Sequence, residues 1–180
     1  MNLPNSITLA RLCLVPVVAL LVLQERYGWA LAAFAVAGAS DAVDGFLARA
    51  LGQRTALGAL LDPAADKLLL VSTFATLWWV ERLPGWLLGL VFGRDALLAG
   101  GYWGLYAAGR RLPVKPTPLG KLTMAAQLVL AGWLLWVAAR ADQGRAPGWL
   151  VGLAVGLTIG SGLHYAWVGS AALRRGGGGP

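Results

Sequence analysis

The chain has 180 residues, 58% of them apolar and only 13% charged, with a mean hydropathy of +0.65. Ordinary soluble domains carry roughly 25% charged residues, so this balance excludes a water-solvated domain and predicts an all-α integral membrane protein. Lys and Arg outnumber Asp and Glu by 15 to 8; with no basic soluble module beside it, the excess reads as topology and anionic-lipid contact, and no nucleic-acid partner is expected.

Crossing a hydrocarbon core of ~30 Å takes roughly 20 helical residues. The apolar stretches divide into helices predicted near 6–25, 28–50, 59–80, 84–109, 118–139 and 147–172. These make one six-transmembrane-helix bundle over residues 1–172, with a disordered basic and Gly-rich tail at 173–180. In the first stretch Arg11 precedes Leu12 to Leu23 like the flank of a secretory signal, but no small-residue cleavage site follows, which predicts a retained helix. Cys13 stands alone and reads as a small buried hydrophobe. Charge and turn residues separate the stretches: Gln24-Glu25-Arg26, Gly52-Gln53-Arg54, Glu81-Arg82 before Pro84, Arg110 to Pro118, and Asp142 to Pro147.

Threaded through six crossings, one side collects Arg11, Arg49, Arg54, Arg110, Arg111, Lys115, Lys121, Arg174 and Arg175. The other collects Arg26, Arg82, Arg140 and Arg145. The positive-inside tendency then places both termini in the cytoplasm. Trp29, Trp78, Trp79, Trp86, Trp136 and Trp149 fall near the opposite interface, where amphipathic rings are favoured.

The second and third helices hold four of the eight acidic residues, Asp41, Asp44, Asp62 and Asp66. A carboxylate at membrane depth costs a few kcal/mol by insertion scales, so the cluster requires compensation. Asp41 and Asp44 are spaced i,i+3 and Asp62 and Asp66 i,i+4, which puts each pair on one helix face. The short Gly52-Gln53-Arg54 connection allows the two helices to lie antiparallel with the pairs facing. Carboxylates so gathered repel unless protonated or bridged by cations, and hard divalent ions prefer all-oxygen ligands. Gly45 and Gly58 admit either a bulky ligand or a close helix neighbour. A proton relay or a small transporter also places acids and an arginine in such helices.

Residues 41–66 read DxxDGxxARx8Gx3Dx3D, with Asp41, Asp44, Gly45, Ala48, Arg49, Gly58, Asp62 and Asp66 in place. This pattern resembles the signature of the CDP-alcohol phosphatidyltransferase family, and no fixed position departs from it. The resemblance implies six transmembrane helices, usually in a homodimer, and two divalent ions, Mg²⁺ or Mn²⁺. It implies metal ligation by Asp41, Asp44, Asp62 and Asp66, with Asp66 also the catalytic general base, at the cytoplasmic face. Asp41, Asp44, Gly45, Ala48, Arg49 and Gly58 would line the cytidine-diphosphate site. The opening Leu3-Pro4-Asn5-Ser6-Ile7-Thr8-Leu9-Ala10-Arg11 also resembles the family's start, with Asn5 and Thr8 near the nucleotide, although a helix cap at Asn5 or Ser6 reads equally well.

CDP-diacylglycerol is the donor this resemblance implies; the acceptor must be read from cations outside the motif. Arg94 lies within an apolar helix, where an ionisable residue calls for a partner or a function. Its neighbour Asp95 is a poor partner by direction, since adjacent helical residues point apart. Arg110, Arg111 and Lys121 follow, and with Arg94 they form the expected site for an acceptor phosphate. Arg54 to Gly58, Gly93 to Leu98 and Pro116 to Lys121 resemble the branch that takes phosphatidylglycerol and yields cardiolipin and CMP. The branch taking glycerol 3-phosphate usually shows Arg-Glu where this chain has Arg94-Asp95. His164 and Tyr165 lack an adjacent acid or second histidine and read as packing residues.

Overall fold

The computed structural model describes residues 3–50, 56–107, 117–140 and 146–175, and the side chains among them outside 3–7, 41–60, 105–106 and 172–175. Within these residues the chain is all-helical: α1 (Leu3–Leu23), α2 (Tyr27–Ala50), α3 (Ala56–Trp79), α4 (Gly85–Ala107), α5 (Pro118–Ala139) and α6 (Gly148–Arg175). The α5 limits coincide with those expected, set by Pro118 at a position that needs no N–H donor. Helix α1 starts at Leu3, ahead of the expected residue 6, because Pro4 is equally compatible with a first turn. Helix α6 runs beyond 172 to Arg175, since no breaker intervenes before Gly176.

The helices form two compact units, Met1–Pro84 with Ala131–Ala146, and Gly85–Leu130 with Pro147–Pro180. In the first, α1 packs on both α2 and α3. Its inward face is Thr8, Arg11, Val18 and Val22, at helical spacing, while Leu9, Val17, Leu20 and Leu23 point outward. Ala30, Phe34 and Ala37 of α2 and Ala65, Leu69, Leu70, Phe74 and Leu77 of α3 complete that core. Cys13, expected inside, is exposed because it lies off this face. The second unit packs α4 on α6. A polar seam locks α5 to α6 there: Gln127 Nε2 donates to Thr158 Oγ1 at 2.9 Å, and Thr123 Oγ1 donates to the Leu157 carbonyl at 3.0 Å.

The ends of α1 and α3 share one geometry. Arg26 N–H donates to the Leu21 carbonyl at 2.9 Å and Arg82 N–H to the Leu77 carbonyl at 2.8 Å, each closing a six-residue cap over Glu25 (φ 58°) or Glu81 (φ 59°). That left-handed position ordinarily favours glycine, and an L-residue there costs about 1–2 kcal/mol. Glu81→Gly is therefore expected to leave thermal stability in detergent unchanged or raised, whereas the β-branched Glu81→Val should lower it by about 1 kcal/mol or more. Equal melting temperatures for the two variants would contradict this cap.

Two helical segments among the described residues are long and apolar enough to cross a membrane, Pro118–Ala139 and Gly148–Ala171. Shorter apolar segments cover Thr8–Leu23 and Tyr27–Ser40. Helices α3 and α4 do not qualify as uniformly apolar spans: Asp62, Asp66 and Lys67 interrupt the first half of α3, and Arg94 and Asp95 the middle of α4.

Candidate functional site

In the first unit the candidate site residues whose side chains are described meet where α1 and α3 run side by side in the same direction. Thr8 and Arg11, three residues apart on α1, face Asp62 and Asp66, four apart on α3. One helical turn thus meets one helical turn. Thr8 Oγ1 donates to Asp62 Oδ1 at 2.6 Å, a short charge-assisted bond. Arg11 Nη1 donates to Asp66 Oδ1 at 2.8 Å. The arginine side chain is fully buried, at 0% exposure, while the Asp66 side chain retains 23%. Arg11 therefore meets its carboxylate from the protein side, and the Asp66 side chain keeps partial exposure.

Arg11, expected as a cytoplasmic charge and as the end of the opening segment, had no predicted partner among the aspartates. Its position three residues after Thr8 is the signal for its role, because that spacing puts it on the same inward face. Thr8, expected near the nucleotide, is anchored directly to Asp62.

Asp41, Asp44, Gly45, Ala48 and Arg49 occupy the last turns of α2, Gly58 the first turn of α3, and Asn5 the first turn of α1. Their side chains lie outside those described, as do all of Arg110 and Arg111. Among the described residues no three His, Cys, Asp or Glu side chains converge on one point. The donor chemistry of Asp62 and Asp66 nevertheless fits a hard divalent cation: both offer only carboxylate oxygen, and Arg11 and Thr8 each engage Oδ1.

In the second unit Arg94 is held at three points. Its Nη1 donates to Asp95 Oδ1 at 3.0 Å, its Nε to Ser161 Oγ at 3.1 Å, and its guanidinium carbon lies 5.9 Å from the Tyr165 ring centroid. The pairing with Asp95 corrects the expectation that neighbouring helical residues would not meet; the long arginine stem folds back across the angle between them. Both side chains are 13% exposed. Lys121 lies in the first turn of α5 and is exposed. Thr117 caps that helix, accepting the Gly120 N–H at Oγ1 over 3.2 Å. Tyr165, expected to pack only, accepts a hydrogen bond from Thr117 N–H at 3.2 Å and shares one with Thr117 Oγ1 at 3.0 Å.

Helices throughout the described residues, with two aspartates on one helix braced from its neighbour, define a class of protein that sets carboxylate oxygens on largely apolar helices. The family model for CDP-alcohol phosphatidyltransferase matches residues 1–160, and the chain belongs to that family. Over 104 residues it is 43% identical to a cardiolipin synthase (CMP-forming) of Streptomyces coelicolor, a match covering 54% of this chain and 48% of that protein. The cardiolipin synthase (CMP-forming) of Homo sapiens is 34% identical over 147 residues, 72% of this chain and 48% of the relative. A CDP-diacylglycerol–glycerol-3-phosphate 3-phosphatidyltransferase of Salmonella typhimurium is 34% identical over 145 residues, covering 75% and 77%. The chain thus spans about half the length of the cardiolipin synthases it matches.

Proposed function

We propose that the protein is a multi-pass membrane enzyme that transfers a phosphatidyl group from CDP-diacylglycerol to phosphatidylglycerol, giving cardiolipin and CMP. The observation that carries this reading is the bracing of Asp62 and Asp66 by Thr8 and Arg11 within the intact eight-position motif. The likeness to CMP-forming cardiolipin synthases supports the acceptor.

Asp66 takes the proton from the acceptor hydroxyl as its oxygen attacks the phosphorus bearing diacylglycerol. The new P–O bond forms as the P–O bond to CMP breaks, and the proton passes on to solvent. An aspartate is a weak base for an alcohol, so proton removal accompanies attack rather than preceding it. Asp41, Asp44, Asp62 and Asp66 would hold two divalent ions, Mg²⁺ or Mn²⁺, which when bound neutralise charge on the diphosphate. Arg11 turns one Asp66 oxygen toward itself and orients the other. Asn5, Thr8, Gly45, Ala48, Arg49 and Gly58 would bind the cytidine diphosphate, and Arg94, Arg110, Arg111 and Lys121 would hold the acceptor phosphate.

Six crossings with the active site at the cytoplasmic face accord with the charge distribution and with an apolar exterior. Trp29, Trp79, Trp86 and Trp149 are 59–72% exposed, a surface that lipid would cover. The enzyme works as a homodimer. A second reading, transfer to glycerol 3-phosphate, is favoured by the Salmonella relative, of which the chain covers the larger share.

Purified protein given CDP-diacylglycerol with either phosphatidylglycerol or glycerol 3-phosphate separates the two. Cardiolipin from the first mixture is the expected product by mass spectrometry. CMP release confined to the second mixture would overturn the phosphatidylglycerol assignment and leave the glycerol 3-phosphate reading.

A further inference from the structure

Tyr165 joins three helices around Arg94. Its ring lies beneath the Arg94 guanidinium of α4, a cation–π arrangement. Its hydroxyl accepts the backbone N–H of Thr117, the residue that caps α5 one turn before Lys121, and shares a hydrogen bond with that residue's Oγ1. Ser161, one turn earlier on α6, holds Arg94 Nε. The same face of α6 therefore sets the arginine and the start of the helix that carries the lysine.

Gly120 closes the arrangement. A Cβ there would lie 3.1 Å from the Tyr165 hydroxyl oxygen, 3.3 Å from Thr117 Oγ1 and 3.5 Å from Arg94 Nη2. A side chain at this position would press on the hydroxyl and the cap, which would have to give way. A phenol has one hydrogen to donate and two lone pairs to accept with. The Thr117 N–H occupies one lone pair, and the hydroxyl hydrogen can turn either to Thr117 Oγ1 at 3.0 Å or to a further acceptor beside Arg94.

We propose that Tyr165 is a specificity residue of the acceptor site: it seats Arg94, fixes the α5 turn bearing Lys121, and donates its hydroxyl hydrogen to an oxygen of the acceptor's phosphate. This rests on the reading that Arg94 and Lys121 hold that phosphate. A phosphodiester and a phosphomonoester both present such an oxygen, so the probes are glycerophosphoglycerol and glycerol 3-phosphate.

The test compares the full chain with Tyr165→Phe, which keeps the ring under Arg94 and removes only the hydroxyl. Calorimetric titration with each probe, without CDP-diacylglycerol, should show binding at least about tenfold weaker in the variant, as for a lost hydrogen bond to a charged group. In turnover, KM for the acceptor should rise by a similar factor while KM for CDP-diacylglycerol stays within about twofold. Thr117→Ala, which removes the side-chain half of the contact, should also raise the acceptor KM alone, and combining it with Tyr165→Phe should cost less than the product of the two effects. The inference is overturned if wild-type protein binds neither probe, if Tyr165→Phe binds both as wild type does, or if both KM values shift together with the melting temperature. Probe binding that weakens in Tyr165→Phe in a protein that releases no CMP would sink the proposed reaction and sustain this site.

Discussion

Asp66→Asn is expected to lower CMP formation by about 10³-fold or more and to destabilise the protein as well. The kinetic loss follows from removing the group proposed to take the acceptor proton, since positioned general bases contribute about 10²–10⁴-fold. The stability loss follows from Arg11, whose side chain is fully buried and bonded to Asp66 Oδ1 at 2.8 Å. Breaking a buried pair by neutralising one partner costs about 3–5 kcal/mol. The two effects separate in the double variant. Arg11→Met with Asp66→Asn removes both charges and should recover much of the melting temperature without recovering CMP release. A double variant no more stable than Asp66→Asn alone would show that the pair does not carry the stability of this end of α1 and α3.

Arg11→Met by itself has the second largest expected effect. It leaves Asp66 in place but releases the oxygen that Arg11 holds, and a displacement of ~1 Å at a reacting group can cost about 10²-fold. We expect kcat to fall by about that factor with KM for CDP-diacylglycerol changed by less than about threefold. Arg11→Lys keeps the charge but not the planar fork, so it should restore stability more fully than turnover. If Arg11→Lys and Arg11→Met lose activity only in proportion to their loss of folded protein, Arg11 neutralises charge and does not orient Asp66.

These effects rest on contacts that differ in how far the sequence discloses them. The i,i+4 spacing of Asp62 and Asp66 is local, and a helix converts it directly into one shared face. The α5 limits were equally legible, because a proline can begin a helix but not continue one from within. The Arg11 contact joins residues 55 apart, and the Thr117 contact with Tyr165 joins residues 48 apart. Which arginine or tyrosine meets which partner depends on how the helices pack, and periodicity gives the face without the neighbour. Arg94 shows a different gap: backbone direction predicts that it avoids Asp95, and the flexibility of its stem reverses that outcome.

The central claim, phosphatidyl transfer at a carboxylate site that requires divalent cations, is tested most directly by CMP release. Wild-type protein with CDP-diacylglycerol and phosphatidylglycerol in Mg²⁺ should release CMP and form cardiolipin. Chelation by EDTA should stop the release and restored Mg²⁺ or Mn²⁺ should return it, while Asp66→Asn should stay inactive under all three conditions. CMP release that persists in EDTA or in Asp66→Asn would contradict the account, as would a wild-type protein that moves solutes across liposome membranes and releases no CMP.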